Sequence, residues 1–310
     1  MATKLDLKTY RADIHNNWCP GCGDFGILAA MQMALFQLKI EPHRVAVFSG
    51  IGCSGKTPHY VNTYGFHTLH GRVLPVATGA KIANKDLTVI AVGGDGDGYG
   101  IGSGYFVNTG RRNLDFTYLV FNNGVYGLTK GQASPTLAKG LKTKSLTDQT
   151  ILEGINPIAL AIGAGYTFIA RGYALDVRNL ANLIAQAISH RGSSFVDILQ
   201  TCPTYNDLYT KEWFEQGNEG RSRLYRLEEN GYDPVVHDPT NMDEIVAKKV
   251  QAVSKSYEWG NQIPIGVYYK VDRPTYGEEM ATRRPSLGST SLLNVDLNDR
   301  DVRPLLESFR

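Results

Sequence analysis

Apolar and polar positions along this chain follow two alternating rhythms. Short β-branched and aromatic runs, Arg44 to Phe48, Leu87 to Val92, Phe116 to Phe121, Tyr166 to Ala170 and Phe195 to Leu199, sit between polar or glycine-rich flanks. Such runs predict strands buried on both faces of a parallel sheet. Between them lie segments of helical period: Asp24 to Lys39, with Ile27, Leu28, Met31, Leu35 and Leu38 on one stripe, Leu74 to Asn84, Gly100 to Arg112, a helix past Pro157, and Asp176 to His190. In the last of these Val177, Leu180, Leu183, Ile184, Ala187 and Ile188 share one face. Strand and helix in alternation predict an α/β fold with a doubly wound, mostly parallel sheet.

The remaining stretches read as connections and ends. Residues 1–17 form a polar arm, and Pro58 to Gly71 is an aromatic, histidine-rich loop. Val125 to Glu153 has few apolar residues and is too long for a plain connection, so it reads as a lid or binding loop. Residues 205–262 are mixed and charged, Ile265 to Lys270 has the composition of one more strand, and 275–310 is a polar tail suited to wrapping a partner. The division is an α/β domain over 1–235 and a C-terminal extension over 236–310, without an internal repeat.

With 310 residues, 42% of them hydrophobic and 20% charged, the chain can bury a full core. A formal charge of +2 supplies no basic stripe for nucleic acid, and Arg111-Arg112 and Lys139 to Lys144 read as solvated loop faces. Met1 to Asn17 lacks the charged, apolar, small-residue order of an export signal, so a cytoplasmic location is expected. The most apolar segment, Pro157 to Ala170, is shorter than the roughly 20 residues of a membrane span and rich in glycine.

Candidate chemistry concentrates at strand ends. The central run breaks at Gly93-Gly94, placing Asp95 at a strand's carboxyl end, where open α/β sheets bind ligands and glycines admit a phosphate. The next strand ends at Asn122-Asn123-Gly124, so an Asp carboxylate, an Asn carbonyl and a backbone carbonyl can share one small hard cation. Oxygen-only ligation with places left for diphosphate oxygens is the usual environment of Mg²⁺. A dinucleotide-binding unit would also carry a glycine loop here, but it expects an acid at the second strand's end, where this chain has the Asn pair. Gly50-Ile-Gly-Cys-Ser-Gly55 adds a second glycine-rich lip.

The four cysteines are Cys19-x-x-Cys22, Cys53 and Cys202, all in loops. A reducing cytoplasm disfavours disulfides, and four thiolates fit either a structural Zn²⁺ or an iron–sulfur cluster, which spacing does not separate. Cys53 and Cys202 belong to the sheet edge of Asp95, an address useful to a redox centre and of no benefit to structural zinc.

Gly94-Asp95-Gly96 followed by Asn122-Asn123 is the thiamine diphosphate motif. Together with Gly-Asp-Gly-Asp-Gly98, Arg111-Arg-Asn, Asn-Asn-Gly-Val-Tyr-Gly-Leu-Thr-Lys-Gly-Gln132 and Ser134-Pro-Thr136, it resembles the β subunit of 2-oxoacid:ferredoxin oxidoreductases, from about His15 to Pro274. The resemblance implies the thiamine diphosphate-binding fold, with Asp95, Asn123 and the Val125 carbonyl holding Mg²⁺. Gly96, Asp97, Gly127 and Leu128 would line the diphosphate and thiazolium, and Ile51, Gly52, Cys53 and Ser54 would touch the cofactor. Cys19, Cys22, Cys53 and Cys202 would bind a [4Fe-4S] cluster.

The implied reaction converts a 2-oxoacid, pyruvate or 2-oxoglutarate, and coenzyme A to acyl-CoA and CO₂, reducing ferredoxin; spacing shows nothing of coenzyme A. No two-cluster ferredoxin module is present, so electrons would make one internal stop before an external carrier. There is one diphosphate-type unit, hence a larger α subunit is expected to supply the other half of the site. Lys56 and Lys130 are candidates for a substrate carboxylate, with Leu128 against the side-chain stem and Lys56 meeting the second carboxylate of 2-oxoglutarate. His67 and His70 stay outside the catalytic set. Two alternatives are a thiamine-dependent decarboxylase or carboligase subunit with structural zinc, and an assembly module without catalysis, which the presence of Asp95 and Asn123 disfavours.

Overall fold

The computed structural model describes residues 5–217, 220–285 and 301–309, so the predicted tail is outside the described residues over 286–300. The strands are β1 (Val45–Ser49), β2 (Tyr64–His67), β3 (Thr88–Gly94), β4 (Phe116–Asn122), β5 (Val125–Tyr126), β6 (Gln132–Ala133), β7 (Phe168–Tyr173), β8 (Ser193–Leu199), β9 (Leu224–Arg226) and β10 (Ile263–Lys270). Eight of them form one sheet in the order β2-β1-β3-β4-β8-β7-β10-β9, while β5 and β6 make a separate hairpin. Within the sheet only β10 and β7 run antiparallel.

Helices α1 (Asp24–Gln37), α2 (Thr57–Tyr60), α3 (Val73–Ala83), α4 (Ser103–Arg112), α5 (Pro157–Ala164), α6 (Val177–Ser189), α7 (Lys211–Glu215), α8 (Met242–Ser256) and α9 (Tyr276–Arg283) complete the pattern. Successive strand residues point to opposite faces, so an apolar run feeds two cores at once. In β3, Val89 and Ala91 pack with α3, α4, α5 and α8, whereas Ile90 and Val92 pack with α1 and α6. The doubly wound, mostly parallel architecture expected from the sequence is therefore the one observed. Among the described residues no helix is long and apolar enough to cross a membrane.

Several elements differ from expectation, each for a physical reason. The aromatic loop contains β2, an edge strand whose four residues are all exposed, so no alternation marked it. α8 buries only Ile245, Ala252 and Ser256, too narrow a stripe to stand out in a charged segment. β3 runs on through Gly93-Gly94, and a wide turn over Gly96–Ile101 precedes α4. The N-terminal arm is pinned by Tyr10, whose hydroxyl donates to the carbonyls of Leu35 (3.2 Å) and Ile40 (2.8 Å). The extension beyond residue 235 supplies α8 and β10, the latter lying between β7 and β9.

A buried ion pair crosses from β7 to β8. Arg171 Nε donates to Asp197 Oδ2 at 3.0 Å, with 3% and 0% side-chain exposure. Asp197 Oδ1 also accepts from Asn122 Nδ2 (2.9 Å) and the Tyr99 hydroxyl (3.2 Å), so the pair reaches the end of β4. Removing one partner leaves a buried charge uncompensated, which costs about 3–5 kcal/mol, whereas apolar replacement of both is often tolerated. Asp197→Leu is therefore expected to destabilise urea unfolding by about that amount, and Arg171→Met with Asp197→Leu to recover most of it. A double variant as unstable as the single one contradicts this reading.

Candidate functional site

The parallel register sets the strand ends side by side. Ser49 of β1 pairs with Val92 of β3, Gly94 of β3 with Phe121 of β4, and Asn122 of β4 with Leu199 of β8. The loops that follow these strands consequently share one rim of the sheet.

Asp95 caps the turn after β3 and is buried. Its Oδ2 accepts from Gly124 N (2.9 Å), Thr136 Oγ1 (2.7 Å) and the Ser134 hydroxyl. Burial pushes its carboxyl up from the ordinary range, and these donors oppose the shift. Asn123 is held at three points: its Oδ1 accepts from Val125 N (3.0 Å), its Nδ2 donates to Gln200 Oε1 (3.0 Å), and its carbonyl accepts from Asn206 Nδ2 (2.8 Å). Asp95, Asn123 and the backbone at Val125 thus adjoin, an oxygen-rich group of the kind a hard cation selects.

A cavity of about 250 Å³ opens beside them. Its walls include Ile51, Gly52, Cys53 and Ser54 from one lip and Gly96, Asp97, Gly127 and Leu128 from the other. Ser54 Oγ and Asp97 Oδ2 are buried without a hydrogen-bond partner, which fits a polar occupant. Gly96 is required here, because a Cβ would stand 2.2 Å from the Tyr126 ring.

Besides lining the cavity, Asp97 braces its walls. Its Oδ1 accepts from Ile51 N (2.9 Å), Gly71 N (2.8 Å) and His70 Nδ1 (2.9 Å), lashing the first lip and the 70–71 turn to the second lip. His70 lines the cavity, whereas His67 Nδ1 lies 2.9 Å from the Gly55 carbonyl and 3.0 Å from Ser49 Oγ, a bracing position.

All four cysteines line a second cavity of about 160 Å³, together with Trp18 and Lys56. Sγ of Cys53 and of Cys202 lie 3.4 and 3.7 Å from the point where a Cβ of residue 127 would stand. The Trp18 indole donates to the Cys53 carbonyl at 2.8 Å and packs edge-on against Phe25 and Tyr60, which fixes the first cysteine turn on the Cys53 loop. Burial pushes the Cys53 thiol up to about 12 and raises Cys22 and Cys202 as well, with the carboxylate of Asp24 adding to each. Asp24 itself is pushed up to about 7 by burial, partly offset by Cys22 and Lys56. Thiols in such surroundings ionise when a cationic centre replaces the proton.

The two cavities share Cys53, Asn123, Gly127, Leu128 and Gln200 as common wall. Lys56 belongs to the cysteine cavity, and Lys130 lines neither, standing exposed with φ of 78°. A further cavity of about 280 Å³ lies behind Asn122–Gly124, walled by Arg171, Tyr209 and Trp259. Sequence reasoning missed Gln200, Tyr126 and the roles of His70, Ser134 and Thr136. The hydroxyls of Ser134-Pro-Thr136 were visible as motif letters, but nothing in their spacing announces a bond to Asp95.

Comparison with known proteins places this geometry. Residues 44–198 match the family model of the thiamine pyrophosphate enzyme C-terminal TPP-binding domain, and residues 202–284 match that of the C-terminal part of the pyruvate ferredoxin oxidoreductase β chain. The chain is 53% identical over 282 residues to the β subunit of 2-oxoacid:ferredoxin oxidoreductase 1 of Aeropyrum pernix, covering 90% of this chain and 86% of that one. It is 54% identical over 275 residues to the corresponding subunit of Saccharolobus solfataricus, covering 87% of each. Against the 2-oxoglutarate oxidoreductase subunit KorB of Mycobacterium tuberculosis the identity is 34%, over 95% of this chain and 87% of the relative. A solved structure, 2-oxoglutarate:ferredoxin oxidoreductase from Magnetococcus marinus with 2-oxoglutarate, coenzyme A and succinyl-CoA bound, superposes with a TM-score of 0.84 at 32% identity, covering 99% of this chain and 97% of that one. A thiamine diphosphate-binding domain over residues 44–198, followed by that second matched segment, and the identity to these relatives make this chain a member of the 2-oxoacid:ferredoxin oxidoreductase β-subunit family.

Proposed function

We propose that this chain, joined to a larger α subunit, catalyses oxidative decarboxylation of 2-oxoacids in the class of pyruvate and 2-oxoglutarate, with coenzyme A as acyl acceptor and ferredoxin as electron acceptor. Each turnover breaks the bond between the carboxylate and the carbonyl carbon, releases CO₂, forms the thioester to the coenzyme A sulfur, frees the thiol proton and delivers two electrons singly to ferredoxin. The observation that carries the reading is the common wall between the cofactor cavity and the four-cysteine cavity.

Asp95, Asn123 and the Val125 carbonyl are suited to Mg²⁺, and Gly96, Gly127 and the Ile51–Ser54 lip to thiamine diphosphate. When bound, thiamine diphosphate supplies an electron sink for decarboxylation, and a [4Fe-4S] cluster on Cys19, Cys22, Cys53 and Cys202 supplies a one-electron store. The chain's own residues would hold these groups against each other across the wall formed by Cys53, Asn123, Gly127, Leu128 and Gln200. A cluster is favoured over zinc because the four cysteines line a cavity that shares a wall with the cofactor cavity, an address of use to a redox centre.

Lys56 follows the Ile51–Ser54 lip and lines the cysteine cavity, and its pairing with the distal carboxylate of 2-oxoglutarate would set substrate preference. Lys130, exposed outside both cavities, serves less well.

Two outcomes follow. Purified anaerobically with its α partner, the chain should carry about four irons and no zinc per copy, absorb in the visible, and develop a reduced-cluster EPR signal on addition of 2-oxoacid; Cys202→Ala should remove the iron. A colourless, zinc-containing complex overturns the redox assignment. Lys56→Ile should lower 2-oxoglutarate turnover relative to pyruvate by about 10- to 100-fold, the loss of one charge-assisted hydrogen bond. An unchanged ratio removes Lys56 from substrate recognition.

A further inference from the structure

Gln200 is the side chain at which the two cavities meet. It follows β8 directly, is 2% exposed, and contributes to the wall of both. Its N–H donates to the Asn122 carbonyl at 2.8 Å, which anchors it beside the Asn pair. Its Oε1 accepts from Asn123 Nδ2 at 3.0 Å, while its Nε2 donates to Cys22 Sγ and to the Thr201 carbonyl, each at 3.3 Å.

The direction of this chain is dictated by its neighbours. Asn123 Oδ1 already accepts from Val125 N, so the group facing Gln200 is the amide N–H of Asn123, which requires an oxygen. The Thr201 carbonyl requires a donor, so the Gln200 amide nitrogen must face Thr201 and Cys22. Gly23 leaves the space: a Cβ there would stand 2.6 Å from Gln200 Cγ.

We propose that Gln200 is a positioning residue that couples the metal–diphosphate centre to the cysteine-held centre through two amides in series. This rests on the reading of the cysteine site as an iron–sulfur cluster. Holding Asn123 Nδ2 fixes the amide that would present its oxygen to a cation beside Asp95, and a partner of this kind typically changes metal affinity by 10- to 100-fold. At the other end, an N–H directed at a ligating sulfur stabilises the more negative, reduced cluster and raises its reduction potential. The two ends are linked because hydrogen bonds in a chain polarise one another. A cation on Asn123 Oδ1 draws density from that amide, makes its N–H a better donor to Gln200, and so strengthens the Gln200 N–H toward Cys22. Loading Mg²⁺ and thiamine diphosphate therefore makes the cluster easier to reduce at the stage when electrons are about to arrive.

The test uses the assembled complex as wild type, Gln200→Met and Gln200→Glu. Gln200→Met keeps the length and loses all three side-chain hydrogen bonds, while Gln200→Glu keeps an acceptor for Asn123 and, ionised, has no N–H for Cys22 or the Thr201 carbonyl. Potentiometric EPR titration follows the cluster, and quenching of intrinsic fluorescence follows thiamine diphosphate binding as Mg²⁺ is varied. In Gln200→Met the cluster is expected to titrate at lower potential, to lose the upward shift that Mg²⁺ and thiamine diphosphate produce in wild type, and to need about tenfold more Mg²⁺. In Gln200→Glu the potential should fall while the Mg²⁺ requirement stays near wild type. A Gln200→Met complex with an intact cluster signal and unchanged potential, or with an unchanged Mg²⁺ requirement, overturns the coupling and leaves the enzyme assignment standing. A wild-type complex without iron overturns the assignment itself.

Discussion

The constraint on which the molecule depends is parallel strand pairing. A strand joined to a parallel neighbour must be re-entered from its amino end, so every crossover carries the chain back under the sheet and every carboxyl end emerges on the same rim. β1, β3, β4 and β8 are adjacent and parallel, so residues 50–55, 94–98, 122–127 and 200–202 meet although they are scattered over half of the chain. Such a rim is where open α/β sheets accept ligands. Two centres can be neighbours here without any loop of unusual length between them.

Within that rim the Gly-Asp-Gly-Asp-Gly stretch divides its labour. Asp95 turns toward the following strand's loop and is held by Gly124, Ser134 and Thr136, whereas Asp97 turns toward the preceding loops and binds Ile51, Gly71 and His70. The glycines are the condition for both. A Cβ on Gly50 would lie 1.9 Å from Asp97 Oδ2, and one on Gly98 would lie 2.4 Å from the Tyr118 hydroxyl. Donors from several loops satisfy Asp95 Oδ2 and Asp97 Oδ1, while Asp97 Oδ2 is left without a partner, and those bonds tie the lips together.

What could be read in the sequence followed the strength of the periodic signal. Buried strands such as β3 and β8 announce themselves as β-branched runs, and α6 as a full apolar stripe. β2 and α8 did not, because an edge strand exposed throughout and a helix with a narrow buried stripe carry little periodicity. That Asp95, Asn123, Cys53 and Cys202 would gather on one rim was legible because each follows a strand's carboxyl end, and Cys19 and Cys22 join them across the Cys53 loop. Asp97 was legible as part of the site but not in its bracing role, since the way its carboxylate turns is set by contacts with Ile51, Gly71 and His70 that lie far away in the chain. Gln200 was invisible for a deeper reason: a glutamine beside Thr201 and Cys202 has no pattern, and its meaning lies in an acceptor on one side and a donor on the other.

The shared rim is tested most directly by spin coupling between the two centres proposed for it. Mn²⁺ can replace Mg²⁺ in the assembled complex with thiamine diphosphate, after which the cluster is reduced and its electron spin relaxation is compared with that of the Mg²⁺-loaded form. Neighbouring sites predict a marked acceleration of relaxation by the paramagnetic Mn²⁺. Relaxation identical with either cation, in a complex shown to hold both Mn²⁺ and a reduced cluster, would contradict the placement of the two centres on one edge.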